Sequence, residues 1–295
     1  MNWNTPKTLA KGFLVFSMIF VLGGCLKQDG VTGPETGNSD APTLPEVSTM
    51  KFQMGFLGEL PEVDEASILT GKASGEMAMT AGERSNWING VIRVLFLQLS
   101  LFDALEEPVG AFAYAIHSIP QAQEDGSYLW TYIFAEGQME YSVFLFGTPM
   151  ADRVAWRMEV SSNDPEMILD HFVWFDGESM NDDRSGYWQF YAPVDEATVA
   201  KATVGKQVIR INWAHEGNED SLRLEINELG GEAEGDYIEF RETSEQGSID
   251  YFDSSEGQMA NITALADGSG SITVPDYNDG LKACWDTEQF NADCN

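Results

Sequence analysis

The sequence predicts a mainly β protein: an antiparallel meander forming a strongly curved sheet or open barrel, with one buried apolar helix at about 87–105. Three observations carry that reading. Runs such as Arg153 to Val160 and Ser221 to Ile226 alternate apolar and polar residues, which puts one strand face on a core and the other in water. Turn residues punctuate these runs every 8–15 residues or so, at Glu136-Gly137, Asn181-Asp182-Asp183, Glu216-Gly217-Asn218, Gly230-Gly231 and Asp267-Gly268, as hairpins require. Trp87 to Leu105 is the strongest helix candidate, with a strand as the alternative because its apolar period is not clean.

The first element is a secretory signal over 1–24. Lys7 and Lys11 precede the apolar stretch Phe13 to Leu22, and no acidic residue occurs before Asp29. The stretch is too short for a membrane span, which needs about 20 apolar residues. Its ending, Leu22-Gly23-Gly24-Cys25, resembles the lipobox of bacterial lipoproteins. That resemblance implies lipidation of Cys25 and cleavage before it. It implies a cell-envelope protein held by lipid, with Leu26 after the cysteine favouring the outer membrane of a Gram-negative cell. The membrane, reached through Cys25, is then a partner. Residues 25–47 read as the lipidated cysteine and a flexible tether, because they are rich in Pro, Gly and polar residues. Residues 48–295 read as a single β-rich domain.

Within that domain, Met50 to Met54 alternates like a short strand, and 64–81 reads as loop or a short helix. For the helix at 87–105, Ser85 or Asn86 is the expected cap and Pro108 the expected stop. Leu95, Leu99 and Phe102 share a face that Ile92, Phe96 and Leu97 broaden until it nearly encircles the helix, which means burial. Strands are then expected at 111–119, 127–135, 139–147, 153–160, 169–176, 186–192, 207–214, 221–226, 236–242, 248–253, 258–265 and 271–275, with one helical turn within 194–206. In the front strands Tyr128, Trp130, Tyr132 and Phe134 take one face and Leu129 and Ile133 the other, so cover is expected on both sides.

Charge excludes some functions. The chain carries 16 basic and 48 acidic residues, a net charge of −32. Removing 1–24 takes Lys7 and Lys11 and no acid, which makes it −34. Such a surface repels nucleic acid and anionic lipid. It suits a well-solvated exported domain or a saline habitat.

If Cys25 carries lipid, as the lipobox resemblance implies, Cys284 and Cys294 remain as a disulfide pair in an oxidising compartment, or as two reduced thiols. The stretch Asp279 to Asp286 through Cys294, with the aromatic strand body, resembles exported lipoproteins that end in a Cys-Trp-Asp…Cys loop. That resemblance implies one β-rich domain and brings no activity with it.

Catalytic patterns are not legible. His117, His171 and His215 stand far apart, each in an expected strand, without metal-ligand spacing. No Gly-x-Ser-x-Gly elbow, phosphate-binding loop or dinucleotide fingerprint occurs, and no cofactor is implied. The acidic runs Asp176 to Asp183 and Asp276 to Asp279 read as solvated turns rather than calcium loops. Trp130, Tyr132, Trp156 and Trp174 are the candidate ligand-binding aromatics. On a hollow concave sheet they would hold a hydrophobic ligand; in a packed one they stabilise strand pairs. The roles left are a structural or ligand-binding domain with a hydrophobic ligand or an envelope protein as partner, a lipid carrier, and an envelope enzyme of unrecognised type.

Overall fold

Among the described residues, fourteen strands follow one another in sequence and, in the same order, in space (computed structural model). The structure describes residues 40–52, 55–57, 75–136, 139–164, 167–193, 205–227 and 233–294. The strands are β1 (Gln121–Ala122), β2 (Tyr128–Glu136), β3 (Met139–Pro149), β4 (Arg153–Asp164), β5 (Met167–Met180), β6 (Ser185–Pro193) and β7 (Gly205–Glu216). They continue as β8 (Glu219–Ile226), β9 (Tyr237–Glu242), β10 (Gln246–Asp253), β11 (Gln258–Leu265), β12 (Gly270–Thr273), β13 (Ala283–Trp285) and β14 (Asn291–Ala292). Every pairing is antiparallel between neighbours, and β1 does not meet β14, so the sheet is an open meander.

Alternation decides which residues face inward. In β4, Val154, Trp156, Met158 and Val160 are buried while Arg157 is exposed. The same period continues through Ile209, Ile211 and Trp213 of β7 and Leu222, Leu224 and Ile226 of β8. Inward tryptophans lie against glycines of adjacent strands: Trp156 is paired with Gly147 and Gly177, Trp188 with Gly177, and Trp213 with Gly186. A Cβ on Gly177 would come within 2.6 Å of the Trp188 ring, and one on Gly186 within 2.8 Å of Trp213. Glycine is what lets those indoles lie flat.

The helical run α1 (Gly75–Tyr114) is broken at Arg84, where φ and ψ leave the helical region. It therefore contains the expected helix and extends beyond it at both ends. Pro108 lies inside the helix instead of stopping it. A mid-helix proline costs about 3 kcal/mol, offset here by burial of Pro108, Val109, Ala111, Phe112 and Ala115. The strand expected at 111–119 is thus the end of α1 followed by a 3-10 turn, Ala115–His117, and His117 is not in a strand. His171 and His215 do lie in strands, β5 and β7. Leu95 is half-buried, while the side chains of Phe96, Leu99 and Phe102 lie outside the described residues.

α1 lies in the concavity of the sheet. Near its start, a Cβ on Gly90 would stand 3.5 Å from Ile262 of β11 and 3.6 Å from Trp285 of β13. Near its end, the Ala111 carbonyl accepts the Tyr132 hydroxyl of β2 at 2.8 Å, and Phe112 meets Phe175 of β5 and Trp188 of β6. From β2 to β13 is roughly 53 Å along a sheet spaced at 4.8 Å, yet Asn86 to Ala111 spans only about 38 Å of helix. The sheet must curl around the helix for both ends to reach it.

A second piece of chain also lies within the bore. Met50 is fully buried, and Thr49 accepts the Trp188 indole N–H at 3.1 Å. Phe52 and Phe56 pack on Phe240, with Phe56 over Gly247. Val47–Met50 is a 3-10 turn and Met50 to Phe52 is not a strand; Gln53 and Met54 lie outside the described residues. Ala41, Leu44 and Val47, at the end of the expected tether, also lie against the core.

The outer face is another matter. Ile133 is 51% exposed and Leu129 half-buried. No element among the described residues covers that side, so the front strands are buried on one face and not on two. No helix among the described residues is long and apolar enough to cross a membrane.

Candidate functional site

The four candidate aromatics are core residues. Trp130, Tyr132, Trp156 and Trp174 are 3%, 9%, 2% and 9% exposed. Trp130 and Trp156 pack together at 5.8 Å, and the Trp156 N–H is taken by Ser179 at 2.9 Å. Trp174 is the extra residue of a bulge between the Met158–Phe175 and Glu159–Val173 pairs, which turns its ring inward onto Tyr141 at 4.8 Å. These rings sit in the core and pack on one another, which is the strand-stabilising role that the sequence set beside ligand binding.

Open space lies on the outer face instead. A groove of about 690 Å³ runs over β3 to β6, with Phe146, Arg157, Glu159, Asp176, Glu178 and Tyr187 among its walls and Trp156 in its lining. Outward positions of consecutive strands build it, because every second residue faces water. Its polar groups hold one another. Asp176 accepts from Gln189 Nε2 at 3.0 Å and from the Tyr191 hydroxyl at 2.9 Å. Arg210 donates to Gln189 at 3.0 Å and to Asn212 at 3.1 Å, and lies 4.3 Å over the Tyr187 ring. Glu159 is shared by Arg157 at 2.8 Å and His171 at 3.1 Å, and Glu178 meets Arg153 at 3.3 Å. A second bulge sets His171 in the left-handed region at φ +52°, where Ser161 Oγ accepts its backbone N–H.

Burial, and then the Asp176 carboxylate, pushes the Tyr191 phenol up to about 12. Burial and the charges of Glu178 and Asp176 raise Tyr187 too. Both stay protonated donors at neutral pH. The exposed Asp125 at the rim is lowered by Ser127, whose hydroxyl and N–H it accepts. Chemically, this is a surface of fixed donors and acceptors with two aromatic faces.

A smaller cavity of about 120 Å³ lies beneath the N-terminal segment, between Thr49, Lys51, Trp213, His215, Asp220 and Glu242. His215 Nδ1 meets Asp220 at 2.6 Å. Burial, then Asp220, raises Glu242. The buried Trp213 N–H has no hydrogen-bond partner among the described residues.

The other expected residues fall as follows. Cys284 and Cys294 form a disulfide with Cα atoms 5.3 Å apart. The loop they close grips the start of the helix. Asn291 donates to the Gly82 carbonyl at 3.1 Å and to Ser85 at 3.0 Å, and accepts the Asn86 N–H at 2.9 Å. Asn86 also donates to the Cys284 carbonyl at 2.6 Å. Of the acidic runs, Asp176 is engaged as above and Asp276 pairs with Arg93 at 3.0 Å. Among the described residues no group of three or more His, Cys, Asp or Glu could hold a metal ion. Cys25 lies outside the described residues.

The groove was not foreseen, because its residues come from four strands and are unremarkable in each. The outward Tyr187, Tyr191 and Arg210 carried the only signal: aromatic and cationic residues on polar positions of an acidic chain. The chain matches no family model, no curated protein and no solved structure.

Proposed function

We propose that this is a lipid-anchored cell-envelope protein whose β-domain acts through its outer surface as a structural or ligand-binding module, and not as a carrier of lipid in its interior. One observation supports the choice: α1 and the segment around Met50 occupy the concavity where a carrier would hold its cargo. The lipobox resemblance at Leu22 to Cys25 supports the anchor, and the acidic surface suits a domain standing clear of anionic headgroups. The groove over β3 to β6 is the place for a ligand, with Tyr187 and Phe146 offering ring faces between fixed carboxylates.

The test has two arms. Radiolabelled palmitate should enter the wild-type chain and not Cys25→Ala, and the wild type alone should be processed and fractionate with the envelope. Equal labelling of both chains would remove the anchor. Native mass spectrometry of the detergent-extracted protein should show the chain and its covalent acyl groups. A stoichiometric lipid retained without a covalent bond would restore the carrier reading.

A further inference from the structure

The first long strand of the sheet has an outer edge that β1 leaves mostly unpaired. β1 meets β2 only at Tyr128 and Leu129, although β2 continues to Glu136. The Ser127 carbonyl points to the β1 side, where it accepts the Gln123 N–H at 2.8 Å. In an antiparallel ladder every second residue points its N–H and C=O the same way. Thr131, Ile133 and Ala135 therefore direct their backbone groups away from β3. All three residues are exposed, and no hydrogen bond among the described residues reaches those groups.

Edges of this kind are ordinarily blunted by charge, proline or brevity. This one is not. Tyr128 to Ala135 contains no charged residue, and neither does Pro108 to Gln123 beside it, in a chain of 48 acids. Tyr114, Ile116 and Ile119 are 48%, 66% and 52% exposed in that second stretch, and Ile133 is 51% exposed on the strand itself. The opposite end of the sheet differs: there the disulfide loop and Asn86 tie the last strands to α1.

We infer that this edge is a docking surface for a second copy of the chain, which pairs β2 with β2 antiparallel about a two-fold axis at Ile133. A strand is the occupant because unpaired backbone donors and acceptors call for a strand. A second copy is the occupant because two strongly acidic chains approach best where charge is absent, and Pro108 to Gln123 beside the edge is the longest stretch of the sequence without Asp, Glu, Lys or Arg. The register is self-complementary, as a two-fold interface must be. Ile133 faces its own twin, and Thr131 faces Ala135 of the second copy. The strand's one charged residue, Glu136, falls opposite Trp130 and not opposite another Glu136.

The test uses the full chain in non-ionic detergent, at one chain or fewer per micelle. Sedimentation equilibrium should show a dimer that strengthens with salt. Directly opposed residues of a hydrogen-bonded pair sit about 5.5 Å apart, within disulfide reach. Ile133→Cys should therefore link to itself under mild oxidation. Thr131→Cys and Ala135→Cys should each fail alone and link when mixed. Ile133→Glu, at an exposed position, should give a folded monomer by circular dichroism. Three results overturn the inference: a wild-type chain that remains monomeric, a dimer that survives Ile133→Glu, or Thr131→Cys linking to itself.

Discussion

Phe112→Ala tests the central claim, that the end of α1 is embedded in the sheet. The Phe112 ring is 1% exposed and stands 5.8 Å from Phe175 and 5.5 Å from Trp188. Truncating a buried Phe to Ala costs about 3–5 kcal/mol. Within that total, each aromatic contact is worth about 0.5–1.5 kcal/mol beyond its buried area. A double-mutant cycle with Phe175→Ala should recover a coupling of that size, because the two rings touch. Urea unfolding followed by tryptophan fluorescence is the assay, since six strand tryptophans lie in the core that both rings help build. Ile116→Ala, 66% exposed one helical turn further on, is the control and should stay within about 0.5 kcal/mol of wild type. A Phe112→Ala cost under about 1 kcal/mol, or additivity with Phe175→Ala, would refute the embedded helix.

The remaining predictions concern other parts of the same body. Cys284 and Cys294 are ten positions apart, so reducing their bond should lower stability by about 2.7 kcal/mol on the loop-entropy account, read as a drop in the urea midpoint; no change would mean the loop is not holding the fold. Glu107 accepts the Tyr141 hydroxyl at 3.1 Å, and burial raises its pKa above the ordinary value, with Glu106 adding to the rise. The folded chain therefore holds that proton more tightly than the unfolded one. The resulting penalty is full above the folded pKa and gone below the unfolded one. Glu107→Gln should thus melt higher than wild type at pH 7, with the gap closing as pH falls towards 4; a gap that widens on acidification would reverse the sign. Trp188→Phe should cost about 0.5–1.5 kcal/mol more than Trp213→Phe, because only the first indole N–H has an acceptor. Equal costs in matched thermal melts would show that the Thr49 bond contributes nothing.

The strands were legible where alternation is long. Gln258–Leu265 was read to the residue, and β2 to β10 were each found within a few residues at either end. β1, β13 and β14 were not, because two or three residues cannot display a period; neighbours and the disulfide hold them in place. Ala111 to Ile119 misled because apolar, aromatic and β-branched residues crowd it, which is strand texture. Its burial follows helical spacing instead, at Ala111, Phe112 and Ala115. The bore packing of Trp130, Tyr132, Trp156 and Trp174 was one of two readings, and composition cannot choose between a ring that lines a cavity and a ring that fills it. The groove was illegible for a related reason: Glu159, Asp176, Tyr187 and Gln189 meet only once β4, β5 and β6 are in register.

The grip of Asn291 on Asn86 joins residues 205 positions apart, and it sets an order of events. Hairpins of a sequential meander close locally and can zip up as the chain lengthens. The helix is made before any strand, yet its start, where Trp87 and Ile88 are buried, is gripped from β13 and β14 through Asn86. Until the segment from Cys284 to Cys294 exists, the start of the helix lacks that grip, a condition under which incomplete chains aggregate or are degraded. A chain truncated before Cys284 would keep nearly all of its strands and still look unfinished to any protease that samples exposed helix.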